Sequence, residues 1–292
     1  MDSPRSAVRE LDSRSAPDIG RHGRLELVFE PRRGRTVLAH SYAEPPLRIG
    51  RVHDLGGAAY VILVCSGPGI FGGDTYKYCV HAASGARVVL TSQSAMQAHP
   101  ALVPSCPPAL IQQEYVVADD AELHCDWDPL IPFAGARLDQ RFDLRVAPGG
   151  RLYWGDAMMA GRVSRGEAWR FDTLSHELAL RTGGRLSYLE RYTIVPAEHR
   201  TERAWIAGGA RYAATTLVQH PDASADIAEA WQHEAAASDR HTVQVAVDAA
   251  APGLIVARFL SADGAPFARA RASYRAAALR DIFRRPELAA RK

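Results

Sequence analysis

Two-residue alternation of apolar and polar side chains, broken by tight-turn residues, constrains this chain more than any other feature. It recurs in five segments on one plan, an alternating strand, a short turn and a second apolar strand. They are "YKYCVHAASGARVVLTS", "EYVVADDAELHCDWD", "RFDLRVAPGGRLYWGD", "HELALRTGGRLSYLER" and "TVQVAVDAAAPGLIVARF". Period two places successive side chains on opposite faces of a strand. The turn residues Gly85, Asp120, Gly150 and Gly184 follow one another at intervals of 35, 30 and 34 residues. Glycine and aspartate suit the positive φ that a tight turn needs. A unit of this length cannot bury its apolar face alone, so neighbouring units must stack. The pattern predicts a mainly β fold of stacked strand–turn–strand repeats, β-helical or layered. An ordinary β-sandwich, whose hairpins also need turns and alternation, satisfies the same pattern.

Few helices interrupt this rhythm, and they belong to the C-terminal part. Alanine-rich "SADIAEAWQHEAAA" at 224–237 is a good helix former, and "PFARARASYRAAALRDIFRRPEL" predicts a second helix ending near Pro286. A short helical turn is expected in "SQSAMQAHPAL". Residues 1–22 read as a flexible N-terminal arm with scattered charges and no apolar stretch of a secretory signal. No linker divides the remainder, so 23–292 is expected to form a single mainly β domain.

Charge and cysteine usage exclude several function classes. The 35 basic and 33 acidic residues nearly cancel, which argues against nucleic acid and anionic membrane as partners. The basic runs "PRRGR" and "LRDIFRRPELAARK" read as solvated surface. No apolar run approaches the ~18–20 residues that span a bilayer. Cys65, Cys79, Cys106 and Cys125 show no CxxC spacing, as expected of reduced thiols in a cytoplasmic protein.

Two motifs carry chemistry. "SGPGIFGGD", Ser66 to Asp74, holds Gly67, Gly69, Gly72 and Gly73. It lacks the Lys and Ser/Thr of a nucleotide-binding P-loop. Its G-x-G-x-x-G spacing is followed by the strand-like "DTYKYCV" instead of a helix, so no nucleotide site is supported. In "HCDWDPLIPFAGARL", His124, Asp126 and Asp128 are two residues apart and would share one strand face, with Cys125 opposite. Imidazole and carboxylate together suit a borderline divalent ion such as nickel or zinc. The same spacing describes polar residues facing water. The 11 histidines form no metal-binding motif, and no nucleophile elbow is present. Asp126, Asp128, Asp156 and Glu167 suit a glycosidase pair, or else cap turns and pair with Arg137, Arg162 and Arg165.

Taken in order, "SGPGIFGGD", "GARVVLTSQSAMQAHP", "DWDPLIPFAGARLDQ", "GRVSRGEAWRF" and "GGARYAATTLV" resemble the urease accessory protein UreD (UreH) family, from Gly23 to Leu279. Two positions depart from its pattern: Trp127 replaces a proline often found before the Asp-Pro pair, and "SQSAMQAH" lacks a basic residue. The resemblance implies a non-enzymatic maturation chaperone with a largely β, helical-ladder fold enclosing a water-filled passage for nickel. It implies UreF, the GTPase UreG and the apo-urease subunits as partners, with the nickel donor UreE acting indirectly and a dimeric arrangement within the complex. GTP-dependent insertion of nickel into apo-urease would be the outcome. Nickel would pass through transiently, with no tightly bound cofactor. On this reading the loop glycines Gly67, Gly69, Gly72 and Gly73 let Asp74 face inward, and Asp74, His124, Asp126 and Asp128 are the candidate transit ligands. The competing role for Asp74 is to accept hydrogen bonds from the loop amides. Two alternatives stand beside it: a β-solenoid carbohydrate-active hydrolase using Asp126, Asp128 or Asp156, and a protein-binding scaffold with no metal contact.

Overall fold

Alternation becomes three sheets in the computed structural model, which describes residues 22–103, 105–201, 203, 207–237 and 242–289. The arm expected over 1–22 lies outside the described residues, except that His22 opens the first strand. A seven-stranded sheet contains β1 (His22–Arg32), β2 (Arg35–Ala43), β6 (Thr75–Ala82), β9 (Ala109–Val117), β12 (Arg137–Val146), β14 (Thr173–Thr182) and β15 (Arg185–Ile194). An eight-stranded sheet contains β3 (Leu47–Leu55), β4 (Ala58–Cys65), β7 (Arg87–Ser92), β10 (Glu122–Asp126), β13 (Arg151–Met159), β16 (Tyr212–Gln219), β17 (Val243–Ala251) and β18 (Leu254–Ser261). The narrow third sheet is made of β5 (Ile70–Phe71), β8 (Gln97–His99) and β11 (Ile131–Pro132).

Both large sheets are mixed. The runs β1-β6-β9-β12-β14 and β4-β7-β10-β13 are parallel, whereas β2, β15, β3, β16, β17 and β18 join antiparallel. Between β4 and β12 the chain visits the eight-stranded, three-stranded and seven-stranded sheets in that order, three times over. The turns at Gly85, Asp120 and Gly150 each carry the chain from the seven-stranded to the eight-stranded sheet. The last two segments are instead true hairpins, β14–β15 and β17–β18. One sequence plan thus serves two kinds of connection. Positive φ occurs at Gly85, Asp120 and Gly184, with values of 73°, 55° and 81°. Gly150 is needed for another reason: a Cβ there would lie 3.0 Å from the Ala118 carbonyl oxygen.

The main core lies between the two large sheets. Trp154 is fully buried there, with Tyr115 at 4.9 Å and Phe142 at 5.4 Å between ring centroids, both edge-on. The seven-stranded sheet keeps its outer face in solvent, so β12 alternates strictly between buried and more open positions. By contrast, every residue of β10 is buried. The second face of the eight-stranded sheet is covered by α1 (Ala225–Ala237) and α2 (Gly264–Ala278), with a π turn at Leu279–Phe283. Helix α2 buries Phe267, Arg271, Tyr274, Arg275 and Ala278, the 3.6-residue stripe of a helix lying on a sheet. No helical turn forms in "SQSAMQAHPAL". Met96 and Ala98 give their carbonyls to the amides of Ile131 and Phe133, so sheet pairing overrides the local preference there.

Candidate functional site

Strand β10 divides its side chains between two environments. Leu123 and Cys125 enter the inter-sheet core, while Glu122, His124 and Asp126 face the C-terminal helical segment. His124 is wholly buried, its Nε2–H donating to Glu122 Oε1 at 2.8 Å and its ring edge-on to Phe283 at 4.5 Å. Its Nδ1 is buried without a hydrogen-bond partner. Burial holds the His124 imidazole below its ordinary pKa, although Glu122 pulls the other way. Burial would raise the Glu122 carboxyl, but the bond from His124 and the nearby arginines outweigh it, and Glu122 is lowered. Asp126 accepts from Arg271 Nη2 at 3.1 Å, with Arg275 Nε at 4.0 Å.

Asp128 parts company with these two. β10 ends at Asp126, and Trp127 then donates its amide to the Gly155 carbonyl at 3.0 Å. At the next residue, the Asp128 amide donates to Ser92 Oγ at 3.0 Å, and that hydroxyl donates to Asp128 Oδ2 at 3.1 Å. The expected shared face for His124, Asp126 and Asp128 therefore stops at the strand end. Asp128 lines an inter-sheet cavity of about 120 Å³ with Trp127, Ser92, Pro68, Gln140 and Asp156. A second cavity of about 390 Å³ is lined by Gln140 and Asp156 again, and by His176, Glu190, Tyr192 and His199. Gln140 and Asp156 thus border both spaces.

The strand register assembles this border. Gln140 pairs with His176, and His176 with Tyr192, on adjacent strands of the seven-stranded sheet. The His176 and Tyr192 rings stack at 4.8 Å. From β13, Asp156 brings Oδ2 to 3.8 Å from His176 Nδ1, and its Oδ1 accepts from the Ala157 amide at 2.8 Å. Burial raises the Asp156 carboxyl, and the nearby His176 offsets only part of this. Gln140 and His176 were readable in the sequence. Both occupy inward positions of alternating strands, between Leu138 and Phe142 and between Leu174 and Leu178. A polar residue in an apolar register is the signal. Asp156, in "LYWGDAMM", interrupts an otherwise apolar run in the same way.

The loop at Ser66–Asp74 is shaped by close approach. A Cβ on Gly69 would lie 2.1 Å from the Gln97 carbonyl oxygen, and one on Gly72 would lie 2.5 Å from Ala101 Cβ. Gly73 has φ of 92°, while Gly67 has only Pro46 nearby, 3.4 Å from a built Cβ. Asp74 turns its carboxylate onto this loop, Oδ2 accepting the Phe71 amide at 2.9 Å. Of the four carboxylate and histidine candidates, Asp128 lines the smaller cavity, and Asp74, His124 and Asp126 line neither. Among the described residues, no group of three or more His, Cys, Asp or Glu side chains is placed to hold a metal ion. Glu167 pairs with Arg162 at 2.7 Å.

Stacked mixed sheets, closed on one side by C-terminal helices over an apolar core, define a mainly β protein with two cavities that share Gln140 and Asp156 in their walls. Comparison with known proteins places it more narrowly. The family model described as UreD urease accessory protein matches residues 21–292. The chain belongs to the UreD urease accessory protein family. It is 32% identical over 180 residues to the urease accessory protein UreD of Sorangium cellulosum, covering 61% of this chain and 56% of that one. It is 37% identical over 158 residues to the Lysinibacillus sphaericus UreD, covering 52% and 57%. The Deinococcus radiodurans UreD is 28% identical over 264 residues, covering 90% and 92%. The aligned part thus spans little more than half the length of the first two relatives and nearly all of the third.

Proposed function

We propose that this chain is a non-catalytic scaffold of urease maturation that passes nickel through its interior to apo-urease, working with UreF and the GTPase UreG. The observation that carries the reading is the shared border of the two cavities at Gln140 and Asp156. Nickel is the cargo here. Its path would run from Asp128 past Asp156 and His176 toward Glu190 and His199. Donors spaced one or two at a time offer weak, exchangeable coordination, which suits transit better than storage. This path keeps Asp128 from the sequence expectation and adds Asp156 and His176. His124 and Asp126 face the helical segment instead, engaged by Glu122 and Arg271.

Deletion of the gene in a urease-producing host is expected to leave urease protein present but inactive and poor in nickel, with both restored by the gene. Normal activity and nickel content in the deletion strain would refute the reading.

The scaffold without metal contact has one observation in its favour, the missing three-donor cluster among the described residues. It predicts that an Asp128→Asn chain supports full activation, whereas the passage reading predicts a loss with the complex still assembled. Asn keeps the size and one acceptor oxygen, so the Ser92 contact survives while the charge is removed.

A further inference from the structure

The smaller inter-sheet cavity opens to solvent beside a single charged side chain. Of the residues in its wall, Arg48, Gly67, Pro68 and Ser94 are exposed, whereas Asp128 and Asp156 are only partly so. Arg48, Asp128 and Asp156 are the charged side chains of that wall. The cation therefore stands on the solvent side and the two carboxylates further in.

Strand register puts Arg48 there. It is the second residue of β3 and pairs with Val64 near the end of β4, just before the glycine-rich loop. Ser66, the first residue of that loop, accepts Arg48 Nε–H on its hydroxyl at 3.2 Å and donates to the Pro46 carbonyl at 3.0 Å. The guanidinium is thus anchored by one edge, and it forms no ion pair among the described residues. Its two Nη groups remain as an end-on fork. The carboxylates nearest in the chain are engaged elsewhere. Glu44 accepts from the Tyr42 hydroxyl, Asp54 from the Gly57 amide and Asp74 from the Phe71 amide.

A guanidinium keeps its charge at any physiological pH, so the mouth carries a fixed positive charge. That charge repels a divalent cation arriving from solvent. The free fork, in contrast, matches the two oxygens of a carboxylate. We infer that Arg48 is a charge gate on the passage, which keeps free nickel ions out and admits the ion when a carboxylate side chain of the donor protein occupies the Nη fork and cancels the charge. The gate presupposes the nickel passage proposed above and adds to it the form in which the ion is accepted.

Nickel loading of urease tests the gate. The full chain, in complex with UreF and urease apoprotein, receives either nickel sulfate alone or nickel sulfate with UreG and GTP. Urease-bound nickel and urease activity are followed over time. Arg48→Gln removes the charge, and loading from nickel sulfate alone is expected to become about tenfold faster, so that the advantage of the donor route disappears. Arg48→Lys keeps the charge without the fork. It should exclude free nickel as the wild type does, while loading through UreG and GTP falls about fivefold. Arg51→Gln, exposed on the same strand but outside the cavity wall, is the control and should match the wild type. Arg48 is exposed, so its variants should fold normally, which thermal melting checks. Loading of Arg48→Gln from nickel sulfate at the wild-type rate would overturn the gate, as would an equal acceleration by Arg51→Gln. Undiminished donor-driven loading of Arg48→Lys would overturn the carboxylate as occupant. Asp128→Asn separates the gate from the passage. If that variant loads normally by both routes, the passage falls and the gate with it. If it is impaired while Arg48→Gln behaves as the wild type, the gate alone falls.

Discussion

Buried polar side chains decide the properties of single positions in this protein, and they do so with opposite signs. His124 is held neutral by burial, its folded pKa lowered. Its stabilising contribution is full above the unfolded value near ~6.5 and is lost as pH falls toward the lowered folded value, because the unfolded chain takes up the proton first. Stability should therefore drop on acidification below neutrality, and His124→Gln should flatten that drop. Denaturant melts of both proteins at a series of pH values check this, and parallel curves would contradict it. Asp156 has the reverse sign. Its raised carboxyl stabilises the fold only at low pH, and the benefit is lost as pH rises through the folded value. At neutral pH, Asp156→Asn should make the chain more stable to heat, since the amide removes the charge while its oxygen still accepts from Ala157. A gain in stability with a loss of activation marks a residue kept for function.

At the scale of elements, the C-terminal helical segment is pinned to the eight-stranded sheet by the buried pair of Arg271 and Asp126. Both side chains are less than a tenth exposed. Removing Arg271 leaves the buried Asp126 carboxylate with only Arg275, 4.0 Å away, so Arg271→Ala should destabilise the protein by about 3 kcal/mol, the lower end of the range for a broken buried pair. Equilibrium denaturation measures it, and a loss under about 1 kcal/mol would show that solvent reaches Asp126. Two-residue alternation made the strands legible, because it reports which side chains share a face. Which strand lies next to which was not legible. β6 and β7 read like a hairpin, but each pairs with strands about thirty residues away, and only those distant partners distinguish the turn at Gly85 from the hairpin turn at Gly184. The spacing of His124, Asp126 and Asp128 misleads for a related reason. Period two holds only while the strand lasts, and β10 ends at Asp126.

Across the whole molecule, the two large sheets meet along an apolar core that is interrupted where Gln140, Asp156 and His176 enter the inward register. That interruption is the centre of the functional account, because it borders both cavities. The most direct measurement is the nickel content and activity of urease matured with Asp156→Asn in place of the wild-type chain, with complex assembly followed by co-purification of UreF and UreG. The account predicts an intact complex whose urease carries less nickel and is less active at equal protein. Full nickel loading and full activity with Asp156→Asn would contradict the passage through this interior.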